Sequence, residues 1–490
     1  MTPVVITDAG CDLRPDRSRV VTRLFVAGRE DVGPGDSRAT PVMRRVLDLT
    51  EQQVIDEMRD LDARFGLRHR RMHTVFLDHA AAVTARMDGE ADLMSPARRL
   101  LLGAAFTHEY SIEGAALCNP SAVLFPDADG SGTARFVMSV RGVGEGHRSS
   151  IGFRTGSVTD EGAVTLDAAA PFPVIGLAAP AANRRSVFHA KLGEHDDDRE
   201  NAAFVLDPLP ELFEDEQLVG RLDALAADVA TRRNTAGTIA NLSQVASSSY
   251  RVEFPASVEL SERVLWPSSP AEHHGMEDAR FVRFVGDEGE VTYYATYTAF
   301  DGVNIAQHLL HTDDFVSFVA SPLAGAAAQG KGLALFPRRV HGRFVALSRS
   351  DRESNAVAFS DDMHCWHTAE QIQTPTRPWE LLQLGNCGSP IETEAGWLVL
   401  THGVGAMRTY SLGVVLLDLD EPQRVIASSE LPIVTPRQDQ RDGYVPNVVY
   451  SCGGFAHGDV LVLPYGVADQ SVAIATMSIR GLLASLTPAD

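Results

Sequence analysis

The segment His273-His-Gly-Met-Glu277-Asp278-Ala-Arg280 places two adjacent carboxylates just before an arginine, at the start of an apolar stretch. Carboxylic acids can act as general acids and bases, and an arginine beside them can pair with a carboxylate. If the segment is extended, side-chain alternation puts Asp278 and Arg280 on one side and Glu277 on the other. The pattern predicts that Asp278 faces a cleft with Arg280 beside it while Glu277 holds the turn. An ordinary ion pair in a turn is the alternative.

Signatures of other chemistries do not appear in the sequence. The histidines and carboxylates of this segment do not match the spacing of a zinc protease motif or a facial triad, so we expect no metal site. No GxSxG elbow, Walker loop or kinase signature occurs. The glycine-rich stretch Gly142-Val-Gly144-Glu-Gly146 follows a strand pattern without opening a helix, which argues against a dinucleotide site. We therefore predict an activity without a cofactor.

Short apolar runs alternate with Gly, Asp, Ser and Pro turns from about residue 117 onward, which indicates an all-β body. Several of these runs end in a polar residue followed by a turn, at Arg141, Arg349, His402 and Tyr465. The last three are about 50–60 residues apart, a spacing that fits the blades of a β-propeller. Because the innermost strand of each blade faces the central channel, we expect polar groups at equivalent strand ends to meet there.

Two regions depart from this β pattern. Residues 1–116 are predicted to be an N-terminal extension that is partly helical, with one helix starting after Thr50 as N-cap and a second at about 70–87. The body at 117–485 is interrupted by an insertion at about 155–270, which reads as loops, an acidic run and a helix. The insertion and the extension have no predicted role.

Charge and cysteine content limit the partners. The chain has 490 residues with 65 acidic and 43 basic side chains, a formal net charge of −22, so neither nucleic acid nor a membrane surface is an expected partner. No apolar run approaches the roughly 20 residues that span a bilayer, and the start does not resemble a signal peptide. Five scattered cysteines without a CxxC pair favour a reducing compartment, so we predict a cytoplasmic protein. A homo-oligomer is left open.

At this point the motifs resemble a known family. Met276-Glu-Asp278-Ala-Arg280-Phe is similar to the Glu-Asp-Pro-Arg motif of glycoside hydrolase family 130, which contains inverting β-mannoside phosphorylases and related β-mannosidases. The similarity extends over about residues 117–480, apart from the insertion. It includes Asn119-Pro120 with Arg141, Lys331–Pro337, Gly342–Arg349, Gly385–Pro390, Gly396–Val404, Leu416–Asp418, Gly443–Val449 and Tyr465–Asp469.

The resemblance implies a five-bladed β-propeller and roles for particular residues. Asp278 would be the general acid, with its proton passing through a mannose hydroxyl. Asn119, Arg141 and Asp469 would hold the mannose of the donor subsite. Three further side chains would also bind substrate: Arg148, Glu277 and Arg280. Ala279 stands where the family motif has proline, which changes the rigidity of the turn but keeps the carboxylate.

Hydrolysis and phosphorolysis differ in the nucleophile. A hydrolase uses a water activated by a base carboxylate, whereas a phosphorylase uses a phosphate dianion. By the resemblance, Arg349, His402 and Tyr410 match positions that contact phosphate, whereas Gln383 replaces a lysine that phosphorylases of the family typically carry. Our main hypothesis is therefore an inverting β-1,2-mannosidase acting on manno-oligosaccharides. The first alternative is a β-1,2-mannoside phosphorylase that uses inorganic phosphate as co-substrate and releases mannose 1-phosphate. The second is a carbohydrate-binding propeller without catalysis.

The base that a hydrolase needs is not identified by the pattern. Five carboxylates lie near the anion-site motifs: Asp351, Glu353, Glu380, Glu392 and Glu394. Aromatic residues near the motifs could form sugar platforms or blade core: Tyr297, Trp366, Trp379 and Tyr444.

Overall fold

A computed structural model of the chain describes residues 5–26, 39–84, 94–125, 133–194, 199–228, 232 and 234–489. Strand is the commonest regular structure of these residues, but both of the two compact units they form also contain helices, so the all-β prediction holds only in part. One unit comprises residues 16–112 with 170–174, and the other contains the remaining described residues. None of the described helices is long and apolar enough to cross a membrane.

The described residues of the smaller unit form four helices and one strand pair. Its helices are Ala39–Leu47, Glu51–Phe65, Met72–Thr84 and Pro96–Ala105, and its strands are Val20–Leu24 and Thr107–Ser111, which pair antiparallel. The predicted N-cap is confirmed, since the Thr50 hydroxyl accepts from the amide of Gln53 and the Gln53 side chain accepts from the amide of Thr50. This reciprocal pairing satisfies two of the amide groups that a helix start leaves open. The predicted second helix is present as Met72–Thr84, and residues 85–87 lie outside the described residues.

In its described residues, the larger unit contains five successive strand sets. The strands within a set pair antiparallel, and the first two sets join in one sheet through a parallel contact between Ser149 and Gly275. The sets are Ala116–Phe125, Thr133–Val143, Ser149–Thr159 and Val164–Leu166; Gly275–Val285, Val291–Phe300, Ile305–Thr312, Ser317–Pro322, Tyr250–Glu253 and Leu177–Pro180; Ala334–Leu335, Phe344–Ser348, Asn355–Ser360 and Ala369–Gln373; Gln383–Asn386, Ile391–Thr393, Gly396–Val404, Tyr410–Leu417, Val425–Ser428 and Thr487–Pro488; Val449–Tyr450, Phe455–His457, Val460–Val467, Ser471–Ser478 and Thr7–Leu13. The last set is completed by the first strand of the chain. Shorter strands lie at Val174–Ile175, Asn183–Arg184, Leu212–Phe213 and Arg263–Leu265.

A repeated turn precedes the strands that carry the candidate site. The carboxylate of Glu272 accepts from the amide of Ser269 at 3.0 Å, and that of Glu380 accepts from the amide of Arg377 at 3.2 Å. Gln440 accepts from the amide of Arg437 in the same way. Because these side chains are buried and satisfy backbone donors, each turn fixes where the next strand begins.

The predicted insertion has helices at Arg185–Glu194, Arg199–Leu206, Asp215–Ala227 and Thr235–Ala246. The sequence predicted one helix in the insertion, and the described residues contain four. The strand Ser149–Thr159 continues past the predicted start of the insertion and pairs with Val164–Leu166. A last helix, Ile479–Ser485, follows the final strand set.

Candidate active site

Asp278 lies on the strand Gly275–Val285, at a bulge where the pairing register shifts between Glu277 and Arg280. Its φ is +55°, in the left-handed region, so the strand does not alternate regularly there. The predicted placement of Glu277 and Asp278 on opposite sides is wrong for this reason. Both carboxylates reach Arg141, whose Nη2 lies 2.6 Å from Glu277 Oε1 and whose Nη1 lies 3.4 Å from Asp278 Oδ1.

Two further left-handed residues supply polar groups to the same place. Asn119 has φ +49° at a bulge in the strand Ala116–Phe125, and its side-chain amide donates to Asp278 Oδ1. Asp469 has φ +48° in the turn after the strand Val460–Val467, and the charges of Asp278 and Arg141 act on it. Asn and Asp tolerate this conformation better than other residues with a side chain. The structure thus brings together Asn119, Arg141, Asp278 and Asp469, which lie far apart in the sequence.

The pKa values of Asp278 and Asp469 are shifted in opposite directions. Burial acts to raise the pKa of Asp278, but the positive charges of Arg141, Lys331 and Arg280 outweigh it and hold that pKa below its ordinary value. Burial, reinforced by the negative charge of Asp278, raises the pKa of Asp469 to about 6. In the free protein a proton therefore binds more readily to Asp469 than to Asp278.

Replacing Asp469 with asparagine should change how stability depends on pH. A carboxyl whose folded pKa is about 6, against an ordinary 3.8, contributes stability that is complete below the ordinary value and is lost as the pH rises through 6. The melting temperature of the wild type, relative to that of Asp469→Asn, should therefore fall between pH 4 and pH 7. Thermal unfolding of both proteins across this range measures the difference, and a constant difference would contradict the assignment.

Arg280 is almost fully buried and connects three strand sets. Its guanidinium donates to the carbonyl of Asp278, the carbonyl of Cys387 and the hydroxyl of Tyr450, each at 2.9 Å. With these bonds to the protein, Arg280 fixes the backbone that presents Asp278. Its charge also acts on His402, which packs edge-on against Tyr450 with ring centroids 4.9 Å apart.

Arg349 is a buried cation. Its Nη2 donates to the carbonyl of Arg352 at 3.4 Å, its Nε has no hydrogen-bond partner, and no carboxylate of the described chain forms an ion pair with it. Burial lowers its pKa, yet a guanidinium stays protonated in proteins. Gly385 makes room for it, since a Cβ there would lie 2.0 Å from Arg349 Nε.

His402 and Tyr410 lie near this cation. Their rings are nearly parallel, with centroids 6.1 Å apart, and His402 Nδ1 is buried without a hydrogen-bond partner in the described structure. Burial, together with the charges of Arg349 and Arg280, lowers the pKa of His402 well below its ordinary value. The ring is therefore neutral at pH 7 and can donate one hydrogen bond. We call Arg349, His402 and Tyr410 the cationic pocket.

Other predicted residues have different surroundings. Gln383 is half-buried at the start of the strand Gln383–Asn386, opposite Val404. Arg148 lies against Trp266, with its guanidinium carbon 5.9 Å from the ring centroid. Arg349 and His402 lie close together and Arg141 lies beside Asp278, whereas Tyr465 packs in the core.

The proposed bases are mostly engaged elsewhere. Glu380 caps a turn, Glu392 pairs with Arg338 at 2.6 Å, and Asp351 accepts from the amide of Ser354. The remaining two, Glu353 and Glu394, are exposed. Within the described residues, no group of three His, Cys, Asp or Glu side chains is arranged to hold a metal ion.

The candidate sugar platforms differ in exposure. Tyr297 and Trp366 are fully buried. Trp379 donates from its indole to the carbonyl of Glu430, and Tyr444 is 44% exposed.

Sequence reasoning assigned no role to Lys331 or Tyr450. Lys331 Nζ lies 2.6 Å from Glu277 Oε2, and the Tyr450 hydroxyl accepts from Arg280. Lys331 opens one of the motifs shared with the family and could have been selected on that ground. Tyr450 ends an apolar strand and looks like a core residue in the sequence, since its partner is 170 positions away.

Comparisons with known proteins found a matching family model, similar protein sequences and similar solved structures. A model of glycoside hydrolase family 130, described as beta-1,4-mannooligosaccharide phosphorylase, matches residues 233–487. A 1,2-beta-oligomannan phosphorylase of Thermoanaerobacter sp. (strain X514) is 31% identical over 229 residues, which cover 46% of this chain and 75% of that protein. A beta-1,2-mannobiose phosphorylase of Listeria innocua serovar 6a is 32% identical over 231 residues, covering 45% of this chain and 63% of that protein. The solved structure of the beta-1,2-mannobiose phosphorylase from Listeria innocua, in complex with beta-1,2-mannobiose, has a TM-score of 0.46 and 22% identity; the match covers 77% of this chain and 93% of that chain.

Proposed function

The chain belongs to glycoside hydrolase family 130, and we propose that it is a β-1,2-mannoside phosphorylase that cleaves manno-oligosaccharides with inorganic phosphate. The observation that carries this proposal is the buried guanidinium of Arg349, which has no carboxylate partner among the described residues. A buried charge without a counter-ion is unfavourable, so such a group favours an anionic ligand. Phosphate would also satisfy the unpartnered His402 Nδ1.

This proposal places the first alternative from the sequence, phosphorolysis, ahead of our main hypothesis, hydrolysis. The named relatives are phosphorylases, which supports the alternative more than the hydrolase. A hydrolase would need a base carboxylate near the nucleophile, and the carboxylates considered for that role cap turns, pair with arginine or lie exposed. The replacement of a family lysine by Gln383 leaves Arg349 as the main cation for the dianion.

The proposed reaction inverts the anomeric centre. Phosphate held by the cationic pocket attacks C1 of the mannosyl unit as the C1–O bond to the next sugar breaks on the opposite face. A proton from Asp278 reaches the departing oxygen through a mannose hydroxyl, as the family resemblance implies. The products are mannose 1-phosphate and a chain shortened by one unit. Asn119 and Arg141 keep Asp278 in place.

We also propose a fold architecture and a cellular location for the protein. We assign the five successive strand sets of the larger unit to the blades of a five-bladed β-propeller. A cytoplasmic location, suggested by the cysteine pattern, suits phosphorolysis because a sugar phosphate is retained in the cell.

Incubation with β-1,2-mannobiose, with and without phosphate, tests the function. We expect mannose 1-phosphate, detected by chromatography or ³¹P NMR, only when phosphate is present. Release of free mannose at equal rates in both mixtures would favour the hydrolase. Binding of the sugar without turnover in either mixture would favour the non-catalytic alternative.

A further inference from the structure

A cavity of 430 Å³ lies between the helical insertion and the second strand set. The helix Arg185–Glu194 contributes Lys191, and the helix Thr235–Ala246 contributes Gln244. The opposite wall includes Gln307 on the strand Ile305–Thr312. The volume falls in the range of cavities that hold small molecules, about 300–1,000 Å³.

The sheet register connects this cavity with the candidate active site. Glu277 pairs with Thr298, and Thr298 pairs with Gln307, so the three side chains form a row on one face of the sheet. The row begins at the carboxylate that binds Arg141 and ends at the cavity wall. Thr298 Oγ1 and Gln307 Oε1 are buried and have no hydrogen-bond partner in the described part of the chain. Unsatisfied oxygens of this kind favour a donor from a bound polar molecule.

Two loops make a second connection. Gly330 lines the cavity, and the next residue, Lys331, pairs with Glu277. Arg352 lines the cavity as well, and its carbonyl accepts from Arg349 of the cationic pocket. The cavity therefore lies two strands from Glu277, and short loop segments connect its wall to Lys331 and Arg349.

The lining suits a carbohydrate. Half of its ten polar side chains carry an amide, and an amide can donate to and accept from hydroxyl groups at once. The amide side chains are Asn241, Gln244, Asn304, Gln307 and Gln329. Small residues such as Ala306 and Ala328 leave space between them.

We propose that this cavity binds the mannose units of the substrate chain beyond the two that flank the cleaved bond, on the leaving-group side. The inference rests on the proposed function and extends it, because it gives the helical insertion the role of selecting longer oligosaccharides. Lys191 belongs to the part of the insertion that precedes the residues matched by the family model.

Rates with β-1,2-linked mannobiose, mannotriose and mannotetraose test the proposal. In the full-length double variant Lys191→Ala/Gln244→Ala, we expect kcat/KM for mannotetraose to fall about tenfold relative to that for mannobiose, as expected for the loss of two hydrogen bonds. Ser243→Ala is the matched control, because Ser243 is exposed on the same helix and is not part of the cavity wall. Its chain-length profile should equal that of the wild type.

The outcomes separate the two proposals. An equal change for all three substrates, or no change, would overturn the cavity assignment while phosphorolysis of mannobiose by the wild type still supports the function. If the wild type turns over none of the substrates, the proposed function fails. In that case, the affinity of mannotetraose for the wild type and for the double variant, measured by calorimetry, tests the cavity assignment. Equal affinity overturns the assignment, and weaker affinity in the variant supports it.

Discussion

Replacing Asp278 with asparagine should lower kcat for mannoside cleavage by about 10²–10⁴, the usual effect of removing a general acid. Asparagine preserves the size of the side chain but has no acidic proton to give to the departing oxygen. Initial rates on β-1,2-mannobiose with saturating phosphate measure the effect. The KM for phosphate should change far less, since the cationic pocket is left intact.

The control for this variant is Asp287→Asn. Asp287 is an exposed carboxylate just after the strand that carries Asp278, and its partner is the surface residue Arg339. Its variant should keep wild-type rates. If Asp278→Asn also stayed within a few-fold of the wild type, with an unchanged melting temperature, Asp278 would have no part in proton transfer.

Asp278 must gain a proton before it can act as a general acid. Its lowered pKa keeps it ionised in the free protein at neutral pH, whereas a general acid must carry a proton. We expect phosphate bound beside Arg349 to raise this pKa, because a nearby negative charge disfavours a second one. Binding of the nucleophile would thus prepare the acid.

Replacing Arg349 with methionine should lower kcat/KM for phosphate by about 30- to 4,000-fold. Truncating one partner of a buried, hydrogen-bonded charge pair costs about 2–5 kcal/mol, and this range converts directly into that factor. The effect should appear mainly as weaker phosphate binding, measured by varying phosphate at saturating mannobiose.

Arg343→Met is the matched control for the Arg349 variant. Arg343 directly precedes the strand Phe344–Ser348, and Arg349 directly follows it. The Arg343 side chain, however, is 48% exposed and pairs with Asp361. We expect its variant to behave as the wild type. An Arg349→Met enzyme with an unchanged KM for phosphate would place the anion elsewhere.

Local signals predicted the parts of the fold that depend on neighbouring residues. The cap at Thr50 depends on a residue three positions away, so it could be read directly from the sequence. Alternation failed at Asp278 because the bulge depends on packing against other strands, which no local pattern contains. The motif identified Asp278, Arg141 and Asn119, whereas the bonds of Arg280 to Cys387 and Tyr450 join positions more than 100 residues apart. Only the folded chain shows that Arg280 supports the site.

The left-handed backbone at Asn119, Asp278 and Asp469 makes the requirements of catalysis and of folded-state stability conflict. A residue with a side chain is strained in this region, by roughly 1–2 kcal/mol, and glycine would relieve that strain. Glycine would also delete the groups on which turnover depends. Evolution or engineering toward heat tolerance alone would therefore tend to erase activity at these three positions, and gains in durability should be sought elsewhere in the chain.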